Sequence, residues 1–93
     1  MRIVGEIPHS KFKITIFHMN NKYSIQFEDG EQTQLFKLPD LEELKDVNGI
    51  KTLVDGPFLI GVEEIFKKMR IHKVKSIREL VNRNNKDEFE TII

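Results

Sequence analysis

The chain has 93 residues, 15 Lys and Arg against 15 Asp and Glu, and no cysteine. Ninety-three residues leave room for one small core, burying roughly 60 to 70% of the surface that the unfolded chain exposes. The missing cysteines exclude disulfides, thiolate nucleophiles and Cys-type zinc sites, and the zero net charge argues against whole-molecule attraction to nucleic acid or membrane.

Residues 2–7 hold a short apolar run at Ile3 and Val4, then Gly5, before Pro8 and His9 interrupt it. Proline cannot donate to a ladder, so this is an edge strand or a lead-in that bends at Pro8. Residues 11–38 organise the chain: alternation, with turns at Asn20-Asn21 and Asp29-Gly30, predicts three antiparallel strands. A two-residue loop at Asn20-Asn21 pairs Met19 with Lys22, Phe17 with Ser24, Ile16 with Ile25 and Lys13 with Glu28. Phe12, Ile14, Ile16, Tyr23, Ile25 and Phe27 then share one face, and Lys13, Thr15, Ser24, Gln26 and Glu28 the other. A slip of one residue would put all those apolar groups in water, so the register is well specified. The second turn closes over two residues or, with Glu31, three. The shorter loop is preferred because it turns Phe36 and Leu38 inward, where the longer turns in Leu35 alone.

Pro39 in a first turn, acidic residues at Asp40, Glu42 and Glu43, and a stripe of Leu41, Leu44 and Val47 predict a short helix over 39–47, stopped by Asn48-Gly49. Residues 50–54 are one helical turn or an extended link. Asp55 or Gly56 caps the main helix, Pro57 opens it, and it runs to Met69 or Arg70 with Phe58, Val62, Ile65, Phe66 and Met69 on one face. Glu63 with Lys67 and Glu64 with Lys68 are i,i+4 pairs, and Gly61 reads as a point of close approach to the sheet. A rival reading makes residues 53–60 a hairpin about Asp55-Gly56. Residues 71–75 read as a connector, and Ser76-Ile77-Arg78-Glu79 matches a capping box opening a last helix to about Arg83. Asn84-Asn85-Lys86-Asp87 breaks it, and the tail over 88–93, with Phe89, Ile92 and Ile93, is expected to dock on the body.

Chemistry-bearing motifs are sparse. His9, His18 and His72 lack metal-ligand spacing, and His18 beside Tyr23 reads as a packing residue, so no metal is expected. Neither common phosphate-cradle motif occurs, and residues 28–31 form a turn rather than a calcium loop. Glu42-Glu43 and Glu63-Glu64 face water, where carboxylates keep ordinary acidity, and Ser10, Ser24 and Ser76 lack a nucleophile elbow. The expectation is therefore no enzyme and no cofactor.

Two surfaces remain. Phe17, Met19 and Leu35 lie on the meander face that should be solvated; either the chain's own termini cover them or another molecule does. The second is the basic run of Lys67, Lys68, Arg70, Lys73, Lys75, Arg78 and Arg83 against Glu79. Residues 1–66 carry 7 Lys and Arg against 11 Asp and Glu, a balance of −4, and residues 67–93 carry 8 against 4, a balance of +4. A helix, a connector and a second helix in that run invite a helix-turn-helix reading with phosphate contact. Against it, three of those cations complement the end of the main helix and no aromatic interleaves the run.

Val4-Gly5-Glu6-Ile7-Pro8-His9, Lys13-Ile14-Thr15-Ile16-Phe17, Asn21-Lys22-Tyr23-Ser24, Gln26-Phe27-Glu28 and Glu31-Gln32-Thr33 resemble a family of small uncharacterised bacterial proteins of about this length. The resemblance covers the meander and residues 54–69, and implies no activity and no site residues.

The sequence thus predicts a single α+β domain: a three- or four-stranded antiparallel meander over 1–38, two or three helices packed on one face over 39–83, and a docked tail over 84–93. The expected role is a non-catalytic protein-interaction module, as a homodimer through the outer sheet face or with another protein. Nucleic-acid binding through residues 67–83 is the alternative. No apolar run approaches the ~20 residues of a membrane span, and residues 1–6 lack a secretory layout, so the expected compartment is the cytoplasm, with no membrane partner.

Overall fold

The computed structural model describes the backbone of residues 1–92 and the side chains of residues 1–84. The fold is α+β: an antiparallel meander of four strands in the order β1-β2-β3-β4, with two helices on one face. The strands are β1 (Arg2–Ile7), β2 (Lys13–Met19), β3 (Lys22–Glu28) and β4 (Thr33–Lys37). A 3-10 turn (Glu42–Leu44), α1 (Val47–Leu53) and α2 (Gly56–Ile92) follow.

The β2–β3 register is the predicted one, from Met19 opposite Lys22 to Lys13 opposite Glu28. Asn20 and Asn21 both take positive φ, 53° and 63°, the geometry of a primed two-residue hairpin turn. At the second turn the face is as predicted but the loop is longer. Glu28 pairs with Thr33 and Ile25 with Phe36, so Asp29 to Gln32 form a four-residue loop. The cause lies in Asp29, whose Oδ1 accepts from the amides of Glu31 and Gln32 at 3.0 and 2.8 Å. A shift of two residues preserves side-chain parity, so Phe36 and Leu38 still face inward.

The core holds Ile14, Ile16, Ile25 and Phe27 from the sheet with Phe12 and Leu38 at its strand ends, Ile50 of α1 and Val54 just after it, and Val62 and Phe66 from α2. A bulge at Val4 lets β1 change register between Ile3 and Gly5. Gly5 then lies under α1, where an added Cβ would come within 3.7 Å of Val47.

The helical half departs from the sequence reading in several places. The predicted helix over 39–47 is only a 3-10 turn, and Asn48-Gly49 lies inside the first turn of α1. Asp46 caps α1 by accepting from the Gly49 amide at 2.7 Å. Glycine is needed there because a Cβ would collide with the Glu43 carbonyl oxygen, not because a helix ends. Residues 50–54 are helical up to Leu53, and Asp55 caps α2 through the Phe58 amide at 3.0 Å, so the rival hairpin does not form.

The largest correction concerns α2, which runs unbroken for 37 residues. There is no connector at 71–75, no cap at Ser76 and no break at residues 84–87. The sequence from Val62 onward contains no glycine and no proline, so nothing outweighs helix propagation. Gly61 meets nothing within 4 Å where its Cβ would stand, so it is no point of close approach. Ile65 faces solvent rather than the sheet. Docking of the tail through Phe89, Ile92 and Ile93 lies outside the described residues.

Candidate interaction surfaces

Among the described residues, only the first half of α2 covers the sheet. Val62 and Phe66 are buried, Phe58 and Met69 half-buried, and Phe12 packs at a tilt against Phe66 with ring centres 5.4 Å apart. Three ion pairs fasten this half to the loops beside it. Lys11 meets Glu63 at 3.0 Å, and Arg70 meets Asp29 and Glu31, both at 3.4 Å. Neither predicted i,i+4 pair closes: Glu63 turns to Lys11 instead of Lys67, and Glu64 and Lys68 form no ion pair among the described residues.

Beyond Arg70 the helix leaves the body. Every residue from 71 to 84 is exposed, and the molecule measures 65 × 27 × 19 Å. At 1.5 Å per residue the whole helix is about 55 Å long, so its far half is an arm. Ile71, Val74, Ile77 and Val81 occupy about a third of the arm's circumference, and all are exposed. Leu80 continues the line of Val62, Phe66 and Met69 past the last sheet contact, and it too is exposed.

Phe17, Met19 and Leu35 do lie on the outer sheet face, but not in one row. Leu35 stands opposite Gln26, where a two-residue loop would set it opposite Ser24, and Ser24 faces Lys37. Phe17 is half-buried with Ile3 beside it on the neighbouring strand, while Met19 and Leu35 are 47% and 43% exposed. Ile3 shares their face rather than covering it.

The basic residues Lys67, Lys68, Arg70, Lys73, Lys75, Arg78 and Arg83 all belong to one continuous helix, so the helix-turn-helix arrangement does not occur. They surround the helix: Lys68 and Lys75 project from one side and Lys73 from nearly the opposite one. Arg70 is already engaged by two carboxylates.

Two of the three histidines have structural partners. His9 Nδ1 accepts from the amides of Lys11 and Phe12 at 3.0 and 3.3 Å, holding the β1–β2 connection, and its ring stacks on Phe12. His18 packs against Tyr23 with ring centres 4.7 Å apart. His72 lies on the exposed arm. No three metal-ligating side chains converge among the described residues. A shallow cleft by α2 brings Lys11, Asp29, Glu63, Lys67 and Arg70 near one another, but four of the five are the ion pairs just named.

Among the described residues, Asp29 is the one group whose acidity is clearly displaced. Burial pushes its pKa up. The amides of Glu31 and Gln32, the Arg70 guanidinium and its own amide more than offset that, and its pKa lies below the ordinary carboxylate value. The role is structural, since the carboxylate both shapes the β3–β4 loop and anchors α2. Sequence reasoning missed it, and missed buried Gln34, which donates to the Val62 carbonyl oxygen at 3.0 Å. Asp-Gly at a turn was the available signal for Asp29; nothing in the sequence marks Gln34.

Comparison with protein-family models, curated proteins and solved structures finds no match. No helix of the described residues is long and apolar enough to cross a membrane.

Proposed function

We propose that the protein is a non-catalytic protein-interaction module whose docking element is the far half of α2. The observation that carries the reading is the run of residues 71–84, exposed throughout, with Ile71, Val74, Ile77, Leu80 and Val81 facing water. An isolated helix of this length is marginal in water, and its stability in proteins comes from packing an apolar face. A partner that covers the stripe supplies that packing. The outer sheet face supports self-association less well, because Phe17 is half-buried and Leu35 stands away from it. Nucleic-acid binding is supported less again, because the cations encircle the helix instead of forming one phosphate-tracking row.

The test uses the absence of native cysteine. A solvent-sensitive fluorophore on Val74→Cys is expected to shift to the blue as the protein is concentrated or when extract of the producing cells is added. Emission characteristic of water under both conditions overturns the reading.

A further inference from the structure

The side of α2 opposite Val62 and Phe66 carries Ile60, Glu64, Lys67 and Ile71, spaced i, i+4, i+7 and i+11 on one helix face. Ile60 and Ile71, 59% and 61% exposed, are the most exposed large apolar residues described on the helix. A shallow groove beside Ile60 is lined by Ile60, Glu63, Glu64 and Lys67. Glu63 is held by Lys11, whereas Glu64 and Lys67 have no ion-pair partner among the described residues. The order along this face is apolar, acidic, basic, apolar. Reversed, it is its own electrostatic complement.

We propose that α2 pairs antiparallel with α2 of a second copy, about a two-fold axis between Glu64 and Lys67. Ile60 then meets Ile71 of the second copy, and Glu64 meets its Lys67. The inference rests on the reading of α2 as the docking element and names its occupant: of the exposed stripe Ile71 enters the seam, and the rest of the arm runs beside the second copy's body. An isologous contact needs a self-complementary patch, and this quartet is one. A parallel pair would set Glu64 against Glu64 and Lys67 against Lys67. Pairing centred farther out on the arm would bring Lys73, Lys75 and Arg78 of both copies together. Because the quartet lies on the side away from the sheet, the two sheets end up on the outside of the pair. At larger scale the pairing sets an arm with a positive balance beside a body with a balance of −4.

Light scattering of the full chain over a concentration series is expected to show a dimer that weakens with salt. Glu64→Lys and Lys67→Glu are each expected to raise Kd about tenfold or more, by setting like charges across the seam, with thermal stability of the monomer unchanged. The double exchange Glu64→Lys/Lys67→Glu rebuilds the complement and is expected to restore Kd to within about threefold. A double variant as weak as the single ones, or a monomer at every concentration, overturns the proposal. Spin labels fix the orientation. Labels on Lys68→Cys are expected to lie close across the dimer, and labels on Asn82→Cys to be displaced by about 50 Å along the axis. Short distances at both sites mean a parallel pair and overturn it. If the chain stays monomeric while the Val74→Cys probe still shifts in extract, the dimer is wrong and the interaction reading stands. If the probe never shifts, both fail.

Discussion

Gln34 in β4 donates its side-chain amide to the main-chain carbonyl of Val62 in α2 at 3.0 Å, a polar tie inside an otherwise apolar sheet–helix interface. Its Oε1 is buried without a partner. The bond contributes about 1 kcal/mol and the orphaned oxygen costs a comparable amount. Gln34→Met, similar in volume, is therefore expected to hold stability within about 1 kcal/mol of the native chain by urea unfolding. Gln34→Glu is expected to lose about 3 kcal/mol at neutral pH, because a buried carboxylate would face a carbonyl oxygen, and to recover part of it in acid.

Gly49 stands against the Glu43 carbonyl oxygen, where there is no room for a Cβ. Gly49→Ala must push the 3-10 turn off α1 and is expected to cost about 2 to 3 kcal/mol, although alanine is the better helix former. A thermal midpoint that rises in this variant would mean an open position inside a helix, not a close approach, at residue 49.

Asp29 links acid stability to the seating of α2. Its side chain is only 8% exposed, and it accepts from two amides while facing Arg70. Its pKa is lowered in the folded chain, so its contribution is complete above the unfolded value near 3.8 and is lost as pH falls through the lower folded value. Asp29→Asn is expected to flatten the decline of stability below about pH 4. The comparison is of urea midpoints across the acid range in the two chains.

Ser76 lies mid-helix with its side chain in water. Were it a cap, Ser76→Ala would remove about 1 kcal/mol of local stability. In a continuous helix the same change is expected to raise helicity slightly. Ser76→Pro is expected to lower the helical circular dichroism signal while the stability of the sheet stays within about 1 kcal/mol, since the arm touches none of the described body.

The strand half was legible because its signals agree. Alternation, the Asn20-Asn21 turn and the burial of Ile14, Ile16, Ile25 and Phe27 all specify one register. The β3–β4 loop length escaped because Asp29 caps two amides at once, which a dipeptide turn signal does not express. In the helical half, local signals carry two meanings. Asn48-Gly49 and Ser76-Ile77-Arg78-Glu79 serve equally as helix ends or as helix interior. The deciding feature was long range: no glycine or proline after Gly61. The arm followed from that, and with it the quartet from Ile60 to Ile71, whose first three members lay inside the predicted main helix and whose last was assigned to a connector.

The central claim is that α2 is one rod whose far half has no cover from its own body and gains it from a partner. Backbone amide exchange, followed segment by segment in dilute and in concentrated solution, tests it most directly. The account predicts slow exchange throughout the sheet and residues 58–70 at both concentrations, with exchange at residues 71–84 fast when dilute and slowed when concentrated. Protection of residues 71–84 equal to that of the sheet in the dilute monomer would contradict it. So would rapid exchange confined to residues 71–75 at every concentration.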